Sequence, residues 1–504
     1  MGMKKIIGNV LLLVIATLFM LSLLIAPEQI KAISDDDVQK IETNIIVEDV
    51  LESTSDVKYY KFTMDKTGYF QIAFNIPEIG VDTKDGWVVS LIDSDGNSII
   101  YSFTVAENVT FPKLAFEKGK SFYIKIEKKY NTSHLTPIGV KYQFQVNTYE
   151  NMNWEVEYND SATTANNIDA NVSYCANLNS PEDVDYYHFV MDRTGYFDVS
   201  FTIPEVDATI KNGWDVTIFA EDSQVNSFIV TSNVTTCPYA FKQGTNIYIK
   251  VKARYDSSYY APTFTEYNLK INATTSSLWE QESNDSMSDA SEISLKETYS
   301  GTTYKDGDVD YYKIKITGKG FITLSFDPND LSENLGDGFD LSVYNSSNSK
   351  LYSNTSITSK LNVKLYLGKG NYYIRIENHY NYQSPSAYTV YKLKATFVLA
   401  SKPGKAIIKS VKGTTYTYIL SIYDTISYKL SSVKNASGYQ VQISTSKKFN
   451  RNKTTVRSSS TRGTIGSELI KKKKYYVRAR AYYETPLGLK TYGKWSNIKS
   501  VKTK

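Results

Sequence analysis

Histidine and cysteine are the scarce residues of this chain, three and two among 504. Two cysteines in so long a chain exclude a small scaffold stapled by disulfides. Three histidines leave acid–base catalysis poorly supplied, and no Gly-x-Ser-x-Gly, His-Glu-x-x-His or phosphate-loop pattern occurs. Carboxylate pairs are plentiful, but no signal sets two of them across a cleft as acid and base. The reading is a chain that is not an enzyme. Acidic residues are scarce in the last stretch: residues 401–504 hold 23 Lys+Arg against 3 Asp+Glu, a net of +20. The whole chain holds 57 against 53, which leaves 34 against 50 in residues 1–400, a net of −16. A near-neutral total conceals an acidic body and a basic end.

Long apolar runs are missing except at the start. Lys4 and Lys5 precede an apolar run from Val10 to Ala26, broken by Thr17 and Ser22. Ile30-Lys31-Ala32 then offers a small residue for cleavage, so residues 1–32 read as a signal peptide. The run is also long enough to serve as an uncleaved anchor. Either way the chain is expected outside the cell, secreted or held at the surface, with no transmembrane segment once the signal is removed.

What is abundant is tyrosine, 42 residues, a type that suits strands and contact surfaces alike. Asp308-Val309-Asp310-Tyr311-Tyr312 repeats identically as Asp183-Val184-Asp185-Tyr186-Tyr187 and in altered form as Asp56-Val57-Lys58-Tyr59-Tyr60. Tyr312, Ile314 and Ile316 fall on one side and Tyr311, Lys313 and Lys315 on the other, the period of a half-buried strand. Trp154 matches Trp279 and Gly195 matches Gly320 at the same offset of 125 residues. Gly86-Trp87 matches Gly213-Trp214 at an offset of 127. A period this long means tandem domains rather than a solenoid. Short strands between glycine turns are read at Phe197 to Ile203, Trp214 to Phe219, Ile247 to Val251 and Tyr267 to Ile271. The fold class is all-β: three antiparallel sandwiches over 34–149, 152–273 and 277–397, then a further, basic domain over 403–503 after a Pro403-Gly404 linker.

The repeats resemble the bacterial pre-peptidase C-terminal domain, which in related form is the collagen-binding domain of collagenases, and the resemblance implies a jelly-roll-like β-sandwich for each. The resemblance rests on Glu280-x-Glu282-x-Asn284-Asp285, Asp308-x-Asp310-Tyr311-Tyr312, Gly338-Phe339-Asp340-Leu341 and Gly370-Asn371-Tyr372-Tyr373-Ile374-Arg375-Ile376. Tyr158 and Ser283 stand where that family usually has proline. Residues 403–503 are similar to a fibronectin type III domain, through Gly438-Tyr439-Gln440-Val441, Tyr475-x-Val477-Arg478-x-Arg480-Ala481-Tyr482 and Gly493-Lys494-Trp495-Ser496, with Leu430 in place of the expected core tryptophan. The resemblances imply a non-catalytic modular protein that binds or adheres to extracellular protein or polysaccharide, or else a spacer or accessory subunit of a secreted hydrolase system.

Three candidate sites follow from the residues. Calcium wants six to eight hard oxygens. Glu155, Glu157, Asn159 and Asp160 with Asp183 and Asp185 in the second repeat, and Glu280, Glu282, Asn284 and Asp285 with Asp308 and Asp310 in the third, supply them. A solvated acidic linker with Asx turns is the plainer alternative. The first repeat has Lys58 where the second aspartate belongs, so no ion is expected there. Loop tyrosines recur after the penultimate strand: Tyr130, Tyr255, Tyr259, Tyr260, Tyr380 and Tyr382 are candidate ligand contacts, or else packing at the strand end. Cys175 and Cys237 lie in one repeat, and export permits a disulfide between them; two separate thiols need none. His188, in a row held elsewhere by Lys61 and Lys313, reads as a solvated strand residue. Lys471 to Lys474 and the net charge of the last domain point to an anionic cell-wall polymer or lipid headgroups as partner, and export makes nucleic acid an unexpected one.

Overall fold

The computed structural model describes residues 33, 37–77, 85–96, 98–129, 137–204, 213–254, 262–303, 307–328, 337–379, 389–418, 421–466 and 469–504. The signal-peptide residues 1–32 lie outside them. Among the described residues no helix is long and apolar enough to cross a membrane. The regular elements are β-strands throughout. The chain divides into two compact units. One holds the first repeat and most of the second, over 1–189, 199–235 and 246–272. The other holds residues 190–198 and 236–245 with everything from 273 onward.

The three repeats share one plan. In the first, a sheet runs in the order Val38–Lys40, Val57–Thr63, Ser121–Lys128, Trp87–Asp93, Ile99–Val105. The facing sheet runs Ile46–Val50, Lys141–Glu150, Gly68–Asn75, Val109–Thr110, with Leu114–Phe116 also on Gly68–Asn75. The second and third repeats reproduce this order, save that the short pair merges into Leu361–Leu367 in the third. The tyrosine strand, as Val57–Thr63, Val184–Val190 and Val309–Ile316, is therefore second from one edge of its sheet, and it pairs in parallel with the short edge strand where the sequence reading predicts antiparallel pairing throughout. Its alternation is realised: Tyr187 and Phe189 face the core, while Tyr186 and His188 face outward.

Each repeat encloses one core, built on alternate strand residues such as Tyr60, Phe62, Phe74, Trp87 and Tyr142 in the first. Gly86, Gly213 and Gly338 precede the core tryptophan or phenylalanine with φ of 74°, 67° and 81°. A Cβ on Gly213 would come within 1.9 Å of the Val230 carbonyl oxygen, so a close backbone approach and a left-handed φ both require glycine here. The last strands run slightly past the expected repeat ends, to Glu150, Thr275 and Leu399.

The C-terminal domain pairs Ile408–Tyr418, Ser421–Leu430 and Arg462–Ile465 in one sheet. The other holds Thr454–Ser458, Gly438–Ser444, Lys474–Glu484 and Lys490–Tyr492, with Lys499–Lys502 on Lys474–Glu484. Leu430 is buried, as its expected place in the core requires. Tyr475 is buried and its hydroxyl accepts the Ile470 N–H at 3.1 Å, tying the strand to the preceding corner.

The disulfide expected between Cys175 and Cys237 is not formed; both are free thiols. Each has its own surroundings. The Cys175 Sγ donates to Asn268 Oδ1 at 3.0 Å near Glu266 and Lys113, whereas Cys237 lies near Tyr239, Asp198 and Glu280. Burial is the main cause that raises both thiols, Cys237 to about 12.

Candidate functional site

The acidic lead-in of a repeat crosses the end of its own sandwich while hydrogen-bonding to the one before. Glu157 N donates to Ala115 O at 3.1 Å, and Glu282 N donates to Ala240 O at 3.1 Å. Trp154 packs on Tyr69 at 4.7 Å between ring centroids, and Trp279 on Tyr196 at 4.4 Å. This pins the strap so that its alternate acids point inward. The Glu157–Tyr158 and Glu282–Ser283 peptide bonds are cis.

In the second repeat Glu155, Glu157 and Asp185 each place one carboxylate oxygen within 4.8 Å of the others. In the third, Glu280, Glu282 and Asp310 do the same, and Glu282, Asp285 and Asp308 form a second such triad that shares Glu282. Asn159 and Asn284 are fully buried beside these groups. Asp160 is exposed at the rim, and Asp183 closes the second-repeat cluster, accepting the Asn179 N–H at 2.6 Å. A pair of tyrosines seals each cage from the core side. Tyr187 and Tyr267 hydroxyls meet at 2.8 Å, with Tyr187 donating to Glu155 at 3.2 Å and Tyr267 to Asp185 at 2.5 Å. Tyr312 and Tyr391 meet at 2.7 Å, with Tyr312 donating to Glu280 at 3.3 Å and Tyr391 to Asp310 at 2.5 Å.

No ion pair to Glu155, Glu157, Asp185, Glu280, Glu282 or Asp310 occurs among the described residues. Burial first, then the neighbouring carboxylates, holds all six well above the usual range. Burial likewise raises Asp183 to about 6. Such a cluster must bind protons or a cation, because several bare anions side by side in low dielectric repel one another. The donor set fits calcium: hard oxygens only, several carboxylates able to chelate, and amide oxygens to complete the shell. The Glu282 Oε1, Asp310 Oδ1 and both Asn284 amide atoms are buried without a hydrogen-bond partner among the described residues. The Asn159 amide fits either way. Its nitrogen can donate to Glu157 at 3.0 Å and Asp185 at 3.3 Å, or its oxygen can face the same space as a ligand.

The first repeat keeps the tyrosine pair and replaces the cage. Tyr60 and Tyr142 hydroxyls meet at 2.9 Å, Tyr60 donates to Asp49 at 2.7 Å, and the Lys58 ammonium lies 3.5 Å from Asp49. A lysine side chain stands where the other repeats gather anions. The sealing tyrosines Tyr267 and Tyr391 were not anticipated. Tyr391 follows Tyr267 by 124 residues where Asp310 follows Asp185 by 125, so the repeat drifts by one before it reaches them. The six loop tyrosines Tyr130, Tyr255, Tyr259, Tyr260, Tyr380 and Tyr382 lie outside the described residues.

A second feature escaped the sequence. On the outward face of Lys474–Glu484 the Arg478 guanidinium stacks between Phe449 at 4.2 Å and Trp495 at 4.1 Å. Arg480 stacks between Tyr492 at 3.9 Å and Trp495 at 4.3 Å. Gln442 and Gln440 hold the two guanidinium groups by their Nε at 2.9 Å and 2.7 Å. The alternation of arginines is visible in sequence, but their aromatic partners come from distant segments.

No protein-family model matches the chain, and no curated protein matches it. Solved structures that overlay on parts of it include β-sandwich domains and glycoside hydrolases, such as the glycoside hydrolase domain of Endo-D from Streptococcus pneumoniae, 11% identical over 41% of this chain and 33% of its own at a TM-score of 0.17. The pre-peptidase C-terminal domain of a Bacillus anthracis collagenase is 16% identical and covers 21% of this chain and 94% of its own, at a TM-score of 0.18. The FN1-FN3 domains of chicken CNTN1 are 12% identical, over 62% of this chain and 95% of theirs, at 0.17. The CUB1-EGF-CUB2 domains of rat MASP-1 are 9% identical, over 46% and 99%, at 0.15. At such identities and scores none of these tells what the chain binds.

Proposed function

We propose that this chain is an exported, non-catalytic binding protein of modular build, whose second and third repeats are stiffened by calcium and which recognises extracellular protein or polysaccharide. In this reading the repeats are pre-peptidase-like sandwiches and the last domain is of the fibronectin type III kind. The observation that carries the reading is the pair of buried carboxylate cages, Glu155, Glu157 and Asp185 and again Glu280, Glu282 and Asp310, each free of ion pairs among the described residues and sealed by two tyrosines. Glu155, Glu157 and Asp185 would hold the ion in one repeat, and Glu280, Glu282 and Asp310 in the other. Bound calcium supplies the positive charge that these anions lack. The protein's part is to keep the oxygens converged and dry, through the strap on the preceding sandwich and the tyrosine hydroxyls beneath. A spacer or accessory role in a secreted hydrolase system is the second reading, favoured by the same straps, since a stiff linker needs no ligand of its own.

Calorimetric titration of the chain with calcium tests the first part. It should show saturable heat with at least one ion for each of the second and third repeats, and Glu155→Gln with Glu280→Gln should remove it. A titration without heat, together with an unchanged signal on adding chelator, would refute the metal reading. Binding of the calcium-loaded chain to a matrix-protein and glycan array tests the second part.

A further inference from the structure

The sheet that carries the tyrosine strand presents a row of rings on its outward face in the second repeat. Phe219 and Tyr248 are direct partners on adjacent antiparallel strands. On the far side of Tyr248, the His188 ring stacks at 4.7 Å with 24° between planes. Two asparagines fix that imidazole, Asn167 Oδ1 at 2.7 Å from Nδ1 and Asn246 Oδ1 at 3.0 Å from Nε2. Tyr186 lies two residues before His188 on the same strand, with the Lys250 ammonium 5.5 Å from its ring. All these rings are half-exposed. Tyr186, Phe219 and Tyr248 floor a groove of about 660 Å³ whose edge is polar, formed by Thr163, Glu221 and Asp222, and His188 backs Tyr248 from outside it. Glu221 is held at a positive φ of 51° and accepts from Asn246 N at 2.9 Å, so its carboxylate is fixed.

We propose that this groove binds an uncharged or ammonium-bearing polysaccharide, with pyranose faces laid on Phe219 and Tyr248 and hydroxyls on Asp222 and Thr163. This rests on the reading of the chain as an extracellular binding protein and names a ligand class for it. Three observations select the class. Aromatic faces are negative and favour the weakly positive C–H faces of a sugar, while carboxylates and hydroxyls at the rim match its O–H groups. Two carboxylates at the groove, on a body of net charge −16 over residues 1–400, repel uronate, sulfate and phosphodiester polymers. The platform is also repeated: in the third repeat Tyr344 pairs with Tyr373, and Lys313 pairs with Tyr373 on its other side. Two like platforms on one chain suit a polymer of like units, whose second contact is made at high effective concentration. The first repeat has Ile92 and Tyr123 in these places, both buried, and presents no such row.

Affinity electrophoresis of the full chain tests this, in gels containing laminarin, xylan, galactomannan or chitosan oligomers, with hyaluronan as the polyanion control. At least one of the first four should retard the chain, and hyaluronan should not do so through this groove. Phe219→Ala with Tyr248→Ala should weaken the retardation by about tenfold or more, the loss expected of central aromatic contacts. Phe219→Leu with Tyr248→Leu keeps apolar area in the strands while removing the ring faces, and should weaken binding as much at an unchanged unfolding temperature. Retardation equal to wild type in both variants overturns the groove but leaves a glycan-binding protein. Retardation by none of the four overturns the proposal, and capture by a collagen and fibronectin panel would then separate a protein-binding chain from one that binds neither.

Discussion

At the scale of single residues, one substitution explains why the repeats differ. Lys58 stands in the position of Asp185 and Asp310, and its ammonium sits 3.5 Å from Asp49 below the same tyrosine pair. The first repeat carries its positive charge on a side chain, whereas in the proposed reading the second and third take theirs from a bound calcium ion. Asp310→Asn should therefore remove the third repeat's share of the calcium heat and leave the second's intact, a loss read directly as a change in stoichiometry. The cysteines make a separate claim at this scale. Burial raises Cys237 to about 12, and the thiolate is the reactive form, so alkylation in the folded chain at pH 8 should be slow. Well below pH 9 the thiol is protonated in both states and costs nothing. As pH approaches and passes 9 the unfolded chain ionises first, and stability declines as pH rises toward 12. Denatured without reductant, the chain should yield two alkylated cysteines; none would show that the bridge forms after all.

At the scale of strands, the turn before each core aromatic is the most demanding place. Gly213→Ala puts a methyl group against the Val230 carbonyl and forces an alanine to a φ of 67°. It should cost more than about 1–3 kcal/mol, the usual range for one strained backbone position, because a clash is added to the strain. A far-UV melt of the variant that falls by less than a few degrees would contradict this account of the turn. Elements of this kind were legible in sequence because their residues alternate. Gly195–Thr202 and Trp214–Ala220 are inward and outward by turns along their length. Ser223–Val230 was not legible: two adjacent residues, Val225 and Asn226, are both buried, and the period breaks. Val234–Thr235 and Tyr239–Phe241 are too short to show any period. The cages were half legible for the same reason. Their acids, with Tyr187 and Tyr312, sit in contiguous motifs at a constant offset, but the second sealing tyrosine of each, Tyr267 or Tyr391, follows a stretch that differs in length by one residue. The stacked arginines of the last domain, and the ring row with His188 in the second repeat, depend on register between strands far apart in sequence.

At the scale of the whole molecule, a basic end stands beside an acidic body. The basic end, +20 over residues 401–504, carries two guanidinium groups held flat between rings, with spare N–H groups for an anion. The chain should bind purified, anionic cell walls through that domain and be released by high salt, since screening shortens from about 10 Å at 0.1 M to about 3 Å at 1 M. Arg478→Gln with Arg480→Gln should lower the salt needed for release. Binding indifferent to salt would refute an electrostatic hold and leave the repeats as the contact surface. The acidic body, by contrast, holds buried carboxylate cages that the proposed calcium would neutralise, and the straps join those cages to the preceding sandwich. Scanning calorimetry of the full chain in calcium and in chelator measures this most directly, because the first repeat and the last domain serve as internal controls. At calcium about a hundredfold above its dissociation constant, a site specific to the folded form adds about 2.7 kcal/mol, and the transitions of the second and third repeats should rise on the order of 10 °C while the others stay in place. Identical scans in calcium and chelator would contradict the account.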